Sequence, residues 1–266
     1  MVKKLYKHEC EAYLRVWIPM QLVLLGVALL ARGVQLFESD TIAYNIINGS
    51  SILAFALAVI VSLGLTFVFS VVRFYKNLFT GEGYLTFTLP VTPTCHILTK
   101  LFTALAFQAA TVLVALLAVS VVTAGDVFAE ILKAIAYLWK VAYDKLGTAW
   151  LFYVAEVCVL LVVMILTTTM LYYTCLAVGQ LFNKNRVLAA VGVYFGYYFV
   201  TQVFGTVLVV LGYMTSLLDE IEFFFAYHTQ EAMHWTFCGC IVWYGLLGAA
   251  YALLTRYILC RKLNLE

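Results

Sequence analysis

Charged residues punctuate this chain, and the uncharged runs between them predict its architecture. Arg15 to Arg32 encloses 16 residues, Asp40 to Arg73 encloses 32, and Lys100 to Asp126 encloses 25. Beyond these, Glu156 to Lys184 encloses 27, Arg186 to Asp219 encloses 32, and Glu231 to Arg256 encloses 24. A helix crossing a bilayer needs about 20 predominantly apolar residues. The first run is short, but the long side chain of Arg32 can snorkel to the interface and residues 33–37 extend the run. The pattern therefore predicts six spanning helices, at 16–36, 47–72, 101–123, 149–177, 188–213 and 235–257. Membrane strands would instead read as ten-residue alternations, so the expected class is all-α.

The segments between the runs carry their own patterns. Asp126, Glu130, Lys133, Tyr137, Lys140 and Asp144 recur at spacings of 4, 3, 4, 3 and 4, one polar stripe on a helix otherwise made of Phe128, Ile131, Leu132, Ile135, Leu138 and Trp139. Residues 126–146 are thus expected to form an amphipathic helix, too charged to be a seventh span. Residues 1–15 mix Lys3, Lys4 and Lys7 with Leu5, Tyr6, Tyr13 and Leu14. They read either as a short helix on the lipid surface or as a solvated basic flank. In the loop 73–100, Gly81 and Gly83 interrupt the helix leaving the second span, and Pro90 and Pro93 stop whatever element follows. Between those breaks lies an apolar, aromatic knob. The loop 179–186 is short and basic, 215–234 combines acids with Phe223, Phe224 and Phe225, and 258–266 is expected to be a short cytoplasmic tail.

Composition narrows the class further. Of the 266 residues, 65% are hydrophobic and 11% charged, against roughly a quarter charged in soluble domains. An ordinary soluble enzyme and a disordered chain are both excluded. The net charge of +2 gives no footprint for nucleic acid. Its distribution says more. With the N-terminus inside, the inner segments hold twelve Lys and Arg against four outside (Arg32, Lys133, Lys140 and Lys145). The positive-inside rule then predicts a multi-pass protein with both termini cytoplasmic, and the membrane expected is the plasma membrane. The first run follows a polar stretch and lacks a small-residue cleavage site, so it is expected to be a span and not a leader. None of the seven cysteines falls in an expected outer loop.

Motifs for chemistry are few. The chain contains no G-x-x-x-x-G-K-[ST], H-E-x-x-H or G-x-S-x-G sequence. No catalytic residue and no metal site are therefore assigned. Cys238-Gly-Cys240 has the wrong spacing for redox work and reads as packing, and His228 and His234, close together in sequence, read as interfacial residues in preference to metal ligands. Glu156 is the one acid within an expected span, either a contact on a substrate pathway or a wet interfacial group. Gln108, Gln202 and the hydroxyls of 167–169 and 172–174 either line a polar pathway or bond between helices.

The stretches Arg73-Phe-Tyr-Lys-Asn-Leu, Gly81-Glu-Gly-Tyr-Leu-Thr-Phe-Thr-Leu-Pro-Val and Leu98-Thr-Lys-Leu resemble the first cytoplasmic coupling region of bacterial ABC-transporter permease subunits of the type-2 exporter class. The segment from Gly179 to Leu188 and the segment from Arg256 to Glu266 fit the same class. The resemblance implies a six-helix half-transporter that pairs with a second permease copy or a homologous permease, in contact with membrane lipid. It also implies separate ATPase subunits, which bind ATP and Mg, leaving this chain without a cofactor. Glu82, Gly83, Tyr84, Phe87, Leu89 and Pro90 would dock on the ATPase, and Gln180, Lys184 and Arg186 would make a second inner contact. The outer segment 126–146 is longer than such a permease requires.

Two other classes stay open. A membrane-embedded enzyme acting on lipid would need His, Asp or Glu converging near one leaflet. A stand-alone channel or secondary carrier would carry charged relays or repeated, broken helices, and no repeat relates residues 1–123 to 149–257.

Overall fold

A computed structural model describes residues 2–37, 41–83, 88, 91–124, 126–182 and 185–262. Among them are eight long or medium helices: α1 (Val2–Gln35), α2 (Ile42–Phe79), α3 (Pro93–Val122), α4 (Asp126–Leu146), α5 (Ala149–Gly179), α6 (Arg186–Met214), α7 (Leu217–Tyr227) and α8 (Thr229–Arg261). Six of these, all but α4 and α7, are long and apolar enough to cross a membrane. The chain is an all-α, multi-pass membrane protein.

The helices outrun the apolar runs that announce them. Residues 2–15 are not a separate surface helix but the first turns of α1, and α2 continues past Arg73 to Phe79. Charge marks where a chain leaves hydrocarbon, whereas helical hydrogen bonding continues until a breaker or a cap. The expected amphipathic helix forms as α4, and its residues 127–140 are exposed throughout. Within 215–234, α7 forms with none of its side chains buried.

Contacts divide the chain into two units, one of Met1–Arg73 with Leu98–Val141 and one of Phe74–Ile97 with Ala142–Glu266. In the first unit, α1 buries one stripe: Glu9, Tyr13, Gln21, Leu24, Ala28 and Ala31, with Trp17 half-buried between. The steps of three and four keep these side chains on one helical face. The core is graded along that stripe. At the Gln35 end it is dry, with Leu24, Ala28 and Ala31 packed on Phe55, Ala118 and Val122. Midway, Gln21 donates to Ser62 Oγ at 3.2 Å, Trp17 Nε1 donates to Thr111 Oγ1 at 2.8 Å, and Thr66 shares a hydrogen bond with Thr111 at 3.1 Å. Nearer the N-terminus, Tyr13 stacks on Phe107 with ring centroids 4.8 Å apart. The stripe then ends in charge at Glu9.

In the second unit, α5 and α8 run parallel and in register. Tyr153 donates its hydroxyl to Gln230 O at 2.9 Å, Thr167 to Tyr244 O at 2.8 Å and Thr174 to Tyr251 O at 3.2 Å, each partner lying 77 positions further along the chain. A constant offset is what parallel helices require. The donors on α5 are fourteen and seven residues apart, the heptad spacing of helices that wrap slowly about each other. Gly248 permits the approach, because a Cβ there would lie 2.9 Å from Thr167 Oγ1. Gly179 does the same where α5 meets α6, with a Cβ landing 2.7 Å from both Ala190 Cβ and Arg186 O.

Candidate functional site

The loop between the second and third spans is bounded by two cations that share one acid. Glu9 Oε2 accepts from Arg73 Nε at 2.7 Å, and Glu9 Oε1 accepts from Lys100 Nζ at 2.6 Å. The Arg73 guanidinium also lies over the Tyr13 ring, 5.7 Å from its centroid. A single carboxylate near the start of α1 thus ties together the helices that lead into and out of the loop, α2 and α3. The arrangement is a buried cluster in which both carboxylate oxygens are satisfied by charge-assisted bonds.

The last turns of α2 and the first turn of α3 belong to the second unit. Phe74 stacks on Tyr173 with centroids 3.7 Å apart and meets Phe79 edge-on at 5.7 Å, and Leu78, His96 and Ile97 are buried alongside. Gly83 N–H donates to Thr80 O at 2.7 Å, closing a turn that leaves Gly83 buried and Glu82 exposed. Tyr84, Phe87, Leu89 and Pro90, read from the sequence as docking residues, lie outside the described residues, as does Lys184. Of the second inner contact, Gln180 is buried at the C-terminal end of α5 and Arg186 begins α6 half-buried.

The residues offered as pathway or helix glue separate. Thr167 and Thr174 bond across to α8, Thr174 also sharing a 2.9 Å hydrogen bond with Thr255 Oγ1. Those two hydroxyls are glue between helices. Thr169 bonds back to Ile165 O of its own helix. Gln108 is half-buried on α3 and Gln202 exposed on α6. Glu156 on α5 meets His234 Nδ1 of α8 in an ion pair when the imidazole is protonated.

Two arrangements escaped the sequence reading. Glu9 counted there as part of a polar flank, although its four-residue step to Tyr13 continues the α1 stripe. His234 was read as interfacial, and its pairing across 78 positions with Glu156 has no local signal. No protein-family model matches this chain, and no curated protein or solved structure is significantly similar to it.

Proposed function

We propose that the chain is the membrane-spanning subunit of an ATP-driven exporter of the ABC type, working as a pair of permeases with ATPase subunits supplied in trans. The observation that carries this reading is the clamp of Glu9 on Arg73 and Lys100. It ties α2 to α3 on either side of residues 80–92, while Phe74 and Tyr173 stack within the second unit. A lever that transmits a partner's motion has to be stiff at its roots. Charge-assisted bonds and a stacked aromatic pair supply that stiffness. Glu82 is exposed, and the sequence after it supplies aromatic side chains, of the kind worth about 2 kcal/mol or more when buried at an interface hot spot. The chain itself carries no phosphate-cradling sequence. The test is to copurify the parent chain and the double variant Tyr84→Ala/Phe87→Ala with an ATPase subunit that the parent chain captures. The variant should lose the ATPase, or hydrolyse without transporting, in reconstituted vesicles. Unchanged binding, turnover and transport would remove the loop from the mechanism.

One observation favours a second reading. Glu156 and His234 supply the acid and histidine convergence that a lipid-modifying enzyme would need. Turnover of a phospholipid or lipid-linked substrate by the isolated chain, abolished in Glu156→Gln, would move that reading ahead.

A further inference from the structure

Around Glu156 the structure gathers a third donor. Cys238 lies one turn after His234 on α8, so both side chains leave the same face toward α5. Cys238 Sγ is 3.8 Å from His234 Nε2 and 3.9 Å from Glu156 Oε1. One donor atom from each of the three lies within 4.8 Å of the other two. The second carboxylate oxygen, Glu156 Oε2, is buried and has no hydrogen-bond partner.

We propose that Glu156, His234 and Cys238 form a binding site for a zinc-type divalent metal ion that staples α5 to α8. The donor set is one imidazole, one thiolate and one carboxylate, the mixture that suits zinc and its spectroscopic substitute cobalt. The two edges to sulfur agree. Zinc bonds of about 2.3 Å to sulfur and about 2.0–2.2 Å to nitrogen or oxygen put tetrahedral sulfur-to-neighbour edges at about 3.6 Å. The observed 3.8 and 3.9 Å need a contraction of only a few tenths of an ångström. The third edge needs a rearrangement: His234 turns Nδ1 to Glu156 and Nε2 to Cys238, so an ion held by Nε2 requires the carboxylate to swing away from Nδ1. A fourth position falls to Glu156 Oε2 or to water. Charge agrees as well: a carboxylate and a thiolate neutralise a divalent ion, and the thiol proton leaves on binding. A neutral site is what a helix pair in an apolar setting tolerates. The inference concerns a different end of α5 from the loop contacts, and it stands whether the chain is a permease or an enzyme.

The experiment uses the full chain purified in detergent and stripped with chelator, with cobalt as the probe and zinc as its competitor. Cobalt should bind as one ion per chain with a thiolate-to-metal charge-transfer absorption, and zinc should displace it. Cys238→Ser should abolish that absorption, while Cys158→Ser and Cys240→Ser keep it. Losing an outer-shell partner of a metal ligand costs about 10- to 100-fold in affinity, so His234→Ala and Glu156→Gln should each lower zinc affinity by at least about tenfold. A readout on the parent chain avoids dependence on folded variants: zinc should slow alkylation at Cys238, mapped by mass spectrometry, and leave Cys158 unaffected. The proposal falls if cobalt gives no saturable charge-transfer band, if the band survives Cys238→Ser, or if zinc does not protect Cys238. The last result would leave Glu156 and His234 as an ion pair only.

Discussion

Lys100 Nζ donates to Glu9 Oε1 at 2.6 Å, and the two side chains keep only 5% and 7% of their surface exposed. Neither group can exchange its partner for water. Removing one member of a buried pair costs about 3–5 kcal/mol, because the survivor stays charged and unsolvated. Replacing both by apolar residues of similar volume is often neutral. Glu9→Met should therefore lower the unfolding free energy of the detergent-solubilised chain by about that amount, and Glu9→Met with Lys100→Met should recover most of it. Arg73, with 20% of its side chain exposed and Tyr13 beneath it, is the better placed of the two cations to survive the loss. A thermal or denaturant titration of Glu9→Met, Lys100→Met and the double variant against the parent closes the cycle. Equal losses for the single and the double variant would mean that Lys100 does not depend on Glu9.

The close approach of α8 to α5 predicts a contrast between two glycines on one helix. A Cβ at Gly248 would sit 2.9 Å from Thr167 Oγ1, a hydroxyl already committed to Tyr244 O, whereas a Cβ at Gly245 would meet nothing within 4 Å. Gly248→Ala should destabilise by about 1–3 kcal/mol through overpacking. Gly245→Ala should be neutral or gain up to about 1 kcal/mol from helix propensity. Thr167→Ala added to Gly248→Ala should return part of the loss. If both alanines behave alike in unfolding measurements, the parallel register of α5 and α8 is wrong.

Gly179→Ala should be the more damaging change. Its Cβ would land 2.7 Å from the Arg186 carbonyl and 2.8 Å from the Ala190 nitrogen, so backbone must move where α6 begins. The expected loss is at the upper end of the range of about 1–3 kcal/mol seen for overpacked sites. Cross-linking between cysteines placed on the facing turns of α5 and α6 should fall in parallel.

What the sequence made legible follows from the range of each signal. The six spans came through because a bilayer forces about 20 consecutive residues to be apolar, which is a local property. The α4 helix came through because its polar stripe repeats within one segment. Glu9 did not, since charge before a span is the normal signature of a solvated flank. Its partners are 64 and 91 positions away. The hydroxyls of 167–174 gave their polarity but not their use. Only the 77-residue offset between α5 and α8 turns Thr167 and Thr174 into rungs between helices. The same offset brings Cys238 and His234 beside Glu156, converting a cysteine read as packing and a histidine read as interfacial into one cluster.

Orientation is the remaining prediction, and it bears on the proposed function. The twelve-to-four distribution of basic residues predicts Glu82 on the cytoplasmic side and α4 and α7 outside. Three exposed residues report it: Glu82 in the loop, Lys140 on α4 and Glu222 on α7. Each is replaced in turn by cysteine in a background where the seven native cysteines are serine or alanine, and intact cells are treated with an impermeant thiol reagent. Lys140→Cys and Glu222→Cys should label directly, and Glu82→Cys only after permeabilisation. A solvated side chain is needed for the reaction, which is why exposure governed the choice. Labelling at Glu82→Cys in intact cells, with protection at the other two, would invert the chain. The loop would then face away from any cytosolic ATPase, and the permease reading would fall together with the orientation.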